Sequence, residues 1–488
     1  TPEEKIGKGG LRLITNWRVP SVYRDRTGII FACCFPGNAS MAGLARREGD
    51  DGEGKFDRSY LFQVLPMGHS QFAQTTGIRG PNTTINNACA STAAAFSIAE
   101  DWLDVGKVDR VVIISGDDVT GDELWEWIGA GFAASGAAST GNSVEDVALP
   151  FDARRNGLVL GMGAASFVIE KKSGAAERGV QPYAELLGTR MANSAFHGTR
   201  LDVDHVSNTM NDFIGEMESK WKLSRKDIAP HTFFMSHETY TPARGGSAQA
   251  EVKSLRSAFG DSTDSLVITN TKGFTGHPMG VGIEDVVLIH ALATGRAPPI
   301  ANHKEVDSEL GNLNLSKGGQ FEGMKYGLRF AAGFGSQLVV TLWKASDVIG
   351  QRIDGGKLLQ WNKNLAGTDE LVLRVLQNKL VAFINSNENL HGGLQGDVYE
   401  VTENIPHSKQ QKDTVEAVEA IPTAPIPPAA PPMPEVKEIP SDTAEASPAS
   451  ISEAIDIPAI VIDVVVKHTG YPADFIELDQ DLEGELGI

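Results

Sequence analysis

Short apolar runs alternate with longer segments of helical spacing along the first ~345 residues of the chain. Gly28-Ile29-Ile30-Phe31-Ala32-Cys33-Cys34 predicts a buried strand, and 108–116 a second. Gly161-Met162-Gly163-Ala164-Ala165 is a glycine-rich entry to a third, through Ser166-Phe167-Val168-Ile169-Glu170. A second unit begins near Pro182, with strands at Phe233-Phe234-Met235-Ser236 and Leu266-Val267-Ile268-Thr269-Asn270. Residues 326–332 and 338–343 read as a strand pair joined by Gly333-Phe334-Gly335-Ser336. Helical spacing runs through Phe96, Ile98, Ala99, Trp102 and Leu103 to near Gly106, over 249–259, and through Ile283, Val286, Val287 and His290 to about Thr294. Strands alternating with helices predict a layered α/β body. Residues 1–27 are polar and basic with little periodicity, and 40–60 read as a charged surface loop or helix ends.

The pattern changes after the body. Residues 1–346 form the predicted body, and 347–402 an adaptor region with an amphipathic stretch over 371–382. Residues 403–451 hold ten of the 24 prolines and read as a stiff, extended, disordered linker. Residues 452–488 read as the start of a small helical domain, broken at Gly470-Tyr471-Pro472. Residues 397–488 carry 19 Asp/Glu against 4 Lys/Arg, so −15 of the net charge of −20 lies there. A near-neutral body with an acidic appendage argues against nucleic-acid binding. No run of about 20 apolar residues suggests a membrane span. Three cysteines are too few for a disulfide framework and fit a reducing, cytoplasmic setting. No Cys-x-x-Cys or His-x-x-His cluster suggests a metal site. The chain opens on Thr1-Pro2-Glu3-Glu4, as an excerpt from something longer.

The candidate chemistry starts at Thr84-Ile85-Asn86-Asn87-Ala88-Cys89-Ala90-Ser91, where a strand over 83–86 turns into a helix. A cysteine at a helix N-terminus is expected to have a lowered pKa and to act as an acyl acceptor. An equally open reading is a small residue filling a tight corner. His237 and His277 each follow an apolar strand, and ligands of layered α/β folds bind at strand carboxyl ends. A Cys–His–His set supports covalent acyl transfer, with the imidazoles giving hydrogen bonds and assisting proton movement. Lys272 adds positive charge near His277, and Gly333-Phe334-Gly335 offers a backbone N–H to a thioester oxygen. Taken singly, each has a structural alternative: satisfied histidines, a solvated lysine, a hairpin turn. Cys33 and Cys34 read as core or near-core, and His69, His197, His231 and His290 as structural.

Five blocks together resemble the condensing-enzyme family, specifically the β-ketoacyl synthase domain of type I polyketide and polyunsaturated-fatty-acid-synthase-like megasynthases. They are Gly80-Pro81 leading to Ala88-Cys89-Ala90-Ser91; Pro150-Phe151-Asp152 with Arg155, Gly157, Gly161 and Gly163-Ala164; His237-Glu238-Thr239-Tyr240-Thr241-Pro242; Lys272 with Gly276-His277; and Gly333-Phe334-Gly335. The resemblance implies a thiolase-like fold, two similar halves in an α-β-α-β-α sandwich with its extreme N-terminal part lacking, in a homodimer. It implies that Cys89 accepts an acyl chain from a carrier thioester. His237 and His277 would support decarboxylation of a malonyl-type extender, with Lys272 beside them. Thr239 and Thr241 would hold the phosphopantetheine arm, Phe334 would gate the acyl chain, and the amides of its loop, after Gly333, and of Cys89 would form the oxyanion hole. No metal or cofactor is implied beyond that arm as substrate handle. Residues 469–488 resemble the start of an acyl-carrier domain, ending before the attachment serine. Partners implied are carrier domains and other domains of a megasynthase.

The sequence departs from the pattern at Glu238 and Tyr240, which replace two glycines and are expected to reshape the pantetheine tunnel. Met162, Ser336-Gln337 and Phe330-Ala331-Ala332 also differ. Three readings follow: an elongating synthase, a non-elongating decarboxylase or acyl-transfer domain, and a non-catalytic scaffold.

Overall fold

A computed structural model describes residues 2–6, 12–51, 67–241, 246–346, 352–369, 371–376 and 379–384. A hairpin pairs β1 (Pro2–Ile6) with β2 (Arg12–Trp17). The first main sheet contains β3 (Thr27–Ala32), β4 (Asn82–Ile85), β5 (Arg110–Asp118) and β6 (Met162–Glu170), in the order β4-β3-β5-β6. β3 runs parallel to β4 and β5, and β6 is antiparallel to β5. The second contains β7 (Ala184–Asn193), β8 (Thr232–Met235), β9 (Val267–Thr269), β12 (Tyr326–Gly333) and β13 (Gln337–Ala345). A small ribbon of β10 (Arg296–Pro299) and β11 (Lys317–Gln320) stands apart. The second sheet's order is β7-β13-β12-β8-β9, with β9, β8 and β12 parallel and β13 antiparallel to both its neighbours. Both sheets thus follow one scheme, three parallel strands and then an antiparallel partner.

Two helices fill the space between the sheets, Ser91–Asp104 and Ile283–Thr294. Their apolar residues Phe96, Ala99, Leu288 and Ala291 share one buried cluster with Ile30 and Ile113 of the first sheet and Phe233 and Met235 of the second. Phe96 meets Phe167 of β6 and Trp343 of β13 edge-on, at 4.9 and 5.1 Å between ring centres. Removing such a ring costs about 3–5 kcal/mol. Helices Val203–Trp221 and Ser247–Phe259 cover the outer face of the second sheet, burying Met210, Phe213 and Leu255 against Phe234, Leu328 and Val340. Helix Gly68–Thr76 covers the outer face of the first through Ala73 and Ile29. The result is the five-layered, thiolase-like α/β fold of two similar halves that the sequence leads one to expect.

Several local expectations are corrected. Of the stretch 40–60, read as a surface loop or helix ends, the residues up to 51 lie in a helix, Asn38–Asp51, where Ala39, Met41 and Ala42 are strong helix formers that offset the glycines, and 52–60 lie outside the described residues. The first 27 residues, read as having little periodicity, contain the β1–β2 ladder, whose register shifts between Glu3 and Glu4 and so breaks the two-residue alternation. Within the amphipathic stretch 371–382, to which the sequence reading gave no element, β14 (Leu371–Leu376) pairs antiparallel with β15 (Lys379–Ile384). The preceding helix Gly355–Ala366 docks through Trp361, whose Nε1–H donates to the Tyr23 hydroxyl at 3.0 Å. The Pro-rich stretch 403–451 and residues 452–488 lie outside the described residues. No helix among the described residues is long and apolar enough to cross a membrane.

Candidate active site

Cys89 sits in a tight corner between β4 and helix Ser91–Asp104. Ala88 before it takes a left-handed backbone, φ 47°, a conformation unfavourable for a residue with a Cβ. Three hydrogen bonds hold that corner: Ala88 N–H to Asn86 Oδ1 (3.0 Å), Ser91 Oγ–H to Ala88 O (2.6 Å) and Asn87 N–H to Ser91 Oγ (3.0 Å). The loop after β12 packs directly on it. A Cβ at Gly333 would stand 2.5 Å from Asn87 O and 3.1 Å from the Cys89 nitrogen. Only glycine allows this approach, which brings the Phe334 loop to the cysteine amide. Phe334 is 38% exposed and its ring lies 5.4 Å from that of Phe132.

His237 follows β8 and His277 follows β9, and their rings stand 5.8 Å apart at 88°. The glycine-rich entry to β6 fixes the second histidine. His277 N–H donates to Val159 O (2.7 Å) and Gly161 N–H to His277 O (3.0 Å). A Cβ at Gly161 would lie 2.2 Å from Thr275 O, so this contact also demands glycine. Behind the histidines lies a buried charge cluster. Lys272 Nζ pairs with Glu284 Oε1 at 2.5 Å, donates to His237 O at 3.1 Å and faces His237 Nδ1 at 3.5 Å. A lysine ammonium only donates, so Nδ1 is the accepting nitrogen and the His237 proton resides on Nε2. Arg329 flanks Glu284 at 3.6 Å and Asp285 at 3.7 Å.

Cys89, His237, His277, Thr239, Thr241, Gly333 and Phe334 all line one cavity of about 70 Å³. Lys272 does not line it and stands behind His237. Glu238 and Tyr240 are fully buried and do not line it either; their bulk is taken up behind the wall, not in the opening. Tyr240 packs with Ala148 and Leu158. Among the described residues no cluster of His, Cys, Asp and Glu could hold a metal ion.

Sequence reasoning passed over Glu251. It accepts the backbone N–H of His237 (2.6 Å) and the Ser236 hydroxyl (2.6 Å), clamping the strand end that presents the histidine. Its signal was a carboxylate within the buried stripe Ala250, Ser254, Leu255 and Ala258 of its helix. Asp152 is likewise a structural staple, accepting from Arg154 Nε (2.8 Å) and from the amides of Lys304 (2.6 Å) and Glu305 (2.9 Å).

The electrostatics correct one expectation. Although Cys89 retains partial exposure, desolvation of its sulfur pushes the thiol up to about 11; Lys272 pulls it down, and Glu284 and Asp117 push it further up. Burial outweighs both Lys272 and the one backbone hydrogen bond that lowers it. Burial, then Lys272, His277 and Arg329, holds His237 well below the usual imidazole range. Burial and Lys272 bring His277 to about 3, against the opposing pull of Glu284. Burial pushes Glu284 up, but Lys272 and Arg329 outweigh it and leave the carboxyl at about 2. At neutral pH the site therefore holds a thiol and two neutral imidazoles, a set able to accept a proton from sulfur and to donate hydrogen bonds to a carbonyl oxygen.

A family model described as the N-terminal domain of β-ketoacyl synthase matches residues 18–175. The 3-oxoacyl-[acyl-carrier-protein] synthase 2 of Staphylococcus aureus is 28% identical over 328 residues, covering 66% of this chain and 75% of that protein. The protein of the same name from Vibrio cholerae is 30% identical over 264 residues, covering 53% and 61%. The fold is also that of a type II polyketide ketosynthase solved with its acyl-carrier protein, with TM-score 0.58, 23% identity, and 66% and 78% of the chains covered. A β-ketoacyl synthase from Burkholderia phymatum gives 0.57, 22%, and 67% and 76%. With the cysteine corner, the two strand-end histidines and the glycine-fitted Phe334 loop in place, the chain is similar to β-ketoacyl synthases in sequence and in fold, and stands with the acyltransferases.

Proposed function

We propose that the chain catalyses decarboxylative Claisen condensation, with Cys89 as acyl acceptor. The observation that carries the reading is the convergence of Cys89, His237 and His277 on one cavity, with the Gly333 backbone against the Cys89 amide. A neutral imidazole takes the Cys89 proton, the sulfur attacks an acyl thioester, and the carrier thiol leaves with that proton. A malonyl-type thioester then loses carbon dioxide. Its enolate oxygen is held by the His237 Nε2–H and by His277, and its carbon attacks the acyl-Cys89 carbonyl. The Cys89 sulfur departs, leaving a β-ketoacyl product two carbons longer. The amides of Cys89 and Phe334 hold the oxyanion, and Thr239 and Thr241 hold the phosphopantetheine arm of a carrier protein.

The same reading makes 347–402 an adaptor, 403–451 a linker and 452–488 the start of a carrier domain, within a larger synthase. It makes the molecule a homodimer; β4 lies at the sheet edge with one hydrogen-bonded neighbour, which supports pairing of two copies there. Incubation with acyl and malonyl thioesters tests the function: a β-ketoacyl product that is lost in Cys89→Ala supports it. The second reading, a decarboxylase without condensation, is favoured by the high-pKa thiol beside two neutral histidines. It predicts carbon dioxide release and no longer product.

A further inference from the structure

Thr239 meets one hydroxyl twice. Its N–H donates to Ser247 Oγ at 3.0 Å, and its own Oγ1 lies 3.2 Å from the same oxygen. Ser247 Oγ lies 2.5 Å from Glu238 Oε2, and all three residues are buried. A serine hydroxyl has one proton to give. At that distance from a carboxylate oxygen the proton is committed to Glu238, since short O–H···O⁻ bonds are the strong ones. Ser247 is then left to accept, and the Thr239 hydroxyl must donate to it. What Thr239 Oγ1 offers the cavity, which Thr239 and Ser247 both line, is its lone pairs.

The far side of Glu238 fits the same assignment. Its Oε1 faces Arg155 Nε at 3.8 Å, and neither atom has a hydrogen-bond partner. The other guanidinium nitrogens are taken, Nη1 by Asp152 O (2.9 Å) and Nη2 by Asp307 (2.6 Å). A guanidinium nitrogen facing Oε1 matches an ionised oxygen and opposes a proton there. Burial raises the Glu238 pKa, and the Ser247 hydroxyl and Arg155 oppose that rise. The condensing-enzyme pattern has glycine at this position and so lacks the carboxylate on which the relay depends.

We propose that Glu238, acting through Ser247, is a positioning residue that turns the Thr239 hydroxyl into an acceptor, so that the site selects thioesters whose arm carries an amide N–H near the sulfur. The inference rests on the proposed acyl transfer to Cys89. It is tested on the full chain with two hexanoyl thioesters of equal length: the N-acetylcysteamine thioester, which has the amide, and the S-pentyl thioester, which has none. The rate of Cys89 acylation is read by mass for each. The wild type favours the amide by about three- to ten-fold, the worth of one neutral hydrogen bond. Ser247→Ala removes the relay and brings the ratio close to one.

Glu238→Gln is the isosteric second variant. Its carbonyl must face Arg155 Nε, which puts the NH₂ toward Ser247. The Ser247 proton then turns to Thr239, whose hydroxyl donates into the cavity, and the ratio falls to one or inverts. Adducts from both thioesters with an unchanged ratio in the two variants overturn the inference and leave the acyl-transfer reading standing. Equal loss of both rates, or no amide preference in the wild type, overturns it as well. No Cys89 adduct from either thioester in the wild type overturns the acyl-transfer reading, and the inference with it.

Discussion

Lys272 Nζ stands 2.5 Å from Glu284 Oε1, both side chains buried, and the same ammonium donates to the His237 carbonyl. The pair therefore ties a charge cluster to the backbone that presents a histidine. Its carboxylate is held at about 2, below the usual value of 4.5. A depressed carboxyl contributes stability that is fully present above its unfolded pKa and is lost as pH falls through the folded one. For Glu284 this window runs from about 4.5 down to about 2, and the contribution is on the order of 3 kcal/mol. Urea unfolding measured across that window should show the loss, and Glu284→Gln should remove this component of the pH dependence. Because Gln leaves the Lys272 charge buried without its partner, the variant should also be less stable at pH 7 by about 3–5 kcal/mol.

The histidines should stay neutral through the physiological range. His277 at about 3 and His237 well below the usual range predict that Cys89 acylation shows no acid limb near 6.5. Alkylation of the resting Cys89 by iodoacetamide should keep rising with pH toward about 11, as a thiol of that pKa requires. A plateau near pH 7 would mean a thiolate instead. Replacing either histidine by Ala should lower condensation by about 10²–10⁴-fold, the range for a positioned proton-transfer group.

Gly333→Ala places a Cβ 2.5 Å from Asn87 O, a backbone atom unable to yield cheaply. The strain should cost about 1–3 kcal/mol of stability. Acylation should fall by more than ten-fold, since about 1.4 kcal/mol of misplacement in the transition state already costs that much. Acylation rates and unfolding curves of the one variant check both.

Tyr240 is fully buried, with its hydroxyl 3.3 Å from Lys272 O and 3.4 Å from Val159 O, yet its φ is +49°. Tyr240→Ala should destabilise by about 3–5 kcal/mol through the lost ring. Tyr240→Gly leaves the same hole and relieves the left-handed strain, so it should be the more stable of the two by about 1 kcal/mol. Urea unfolding of both variants decides this; the reverse order would mean that the backbone there carries no strain.

The strands and the residues of the cavity were legible because apolar runs and sharp turns are local features. Ile29 and Ile30 of β3, Phe233 of β8 and the Gly333-Phe334-Gly335 turn carry their assignments in a few neighbours. Helix Val203–Trp221 was passed over, although Val206, Met210, Phe213, Ile214 and Met217 keep helical spacing and Asp202 caps it. Its polar residues dilute that stripe. The raised cysteine pKa is illegible in the sequence for a different reason. Helix position is local, whereas desolvation by the second half of the chain, with Glu284 and Asp117 nearby, is set only once the two sheets close over the site. Glu251 and the Glu238–Ser247 pair were illegible for the same reason, since a buried carboxylate declares its role only through its partners.

The most direct test is the mass of the Cys89 peptide after exposure to an acyl thioester, followed by addition of a malonyl thioester. The account predicts an acyl adduct on Cys89, absent in Cys89→Ala, that disappears on addition of the malonyl thioester as a β-ketoacyl product two carbons longer forms. A folded protein that gives no adduct, or an adduct that malonyl thioester leaves in place, would contradict it.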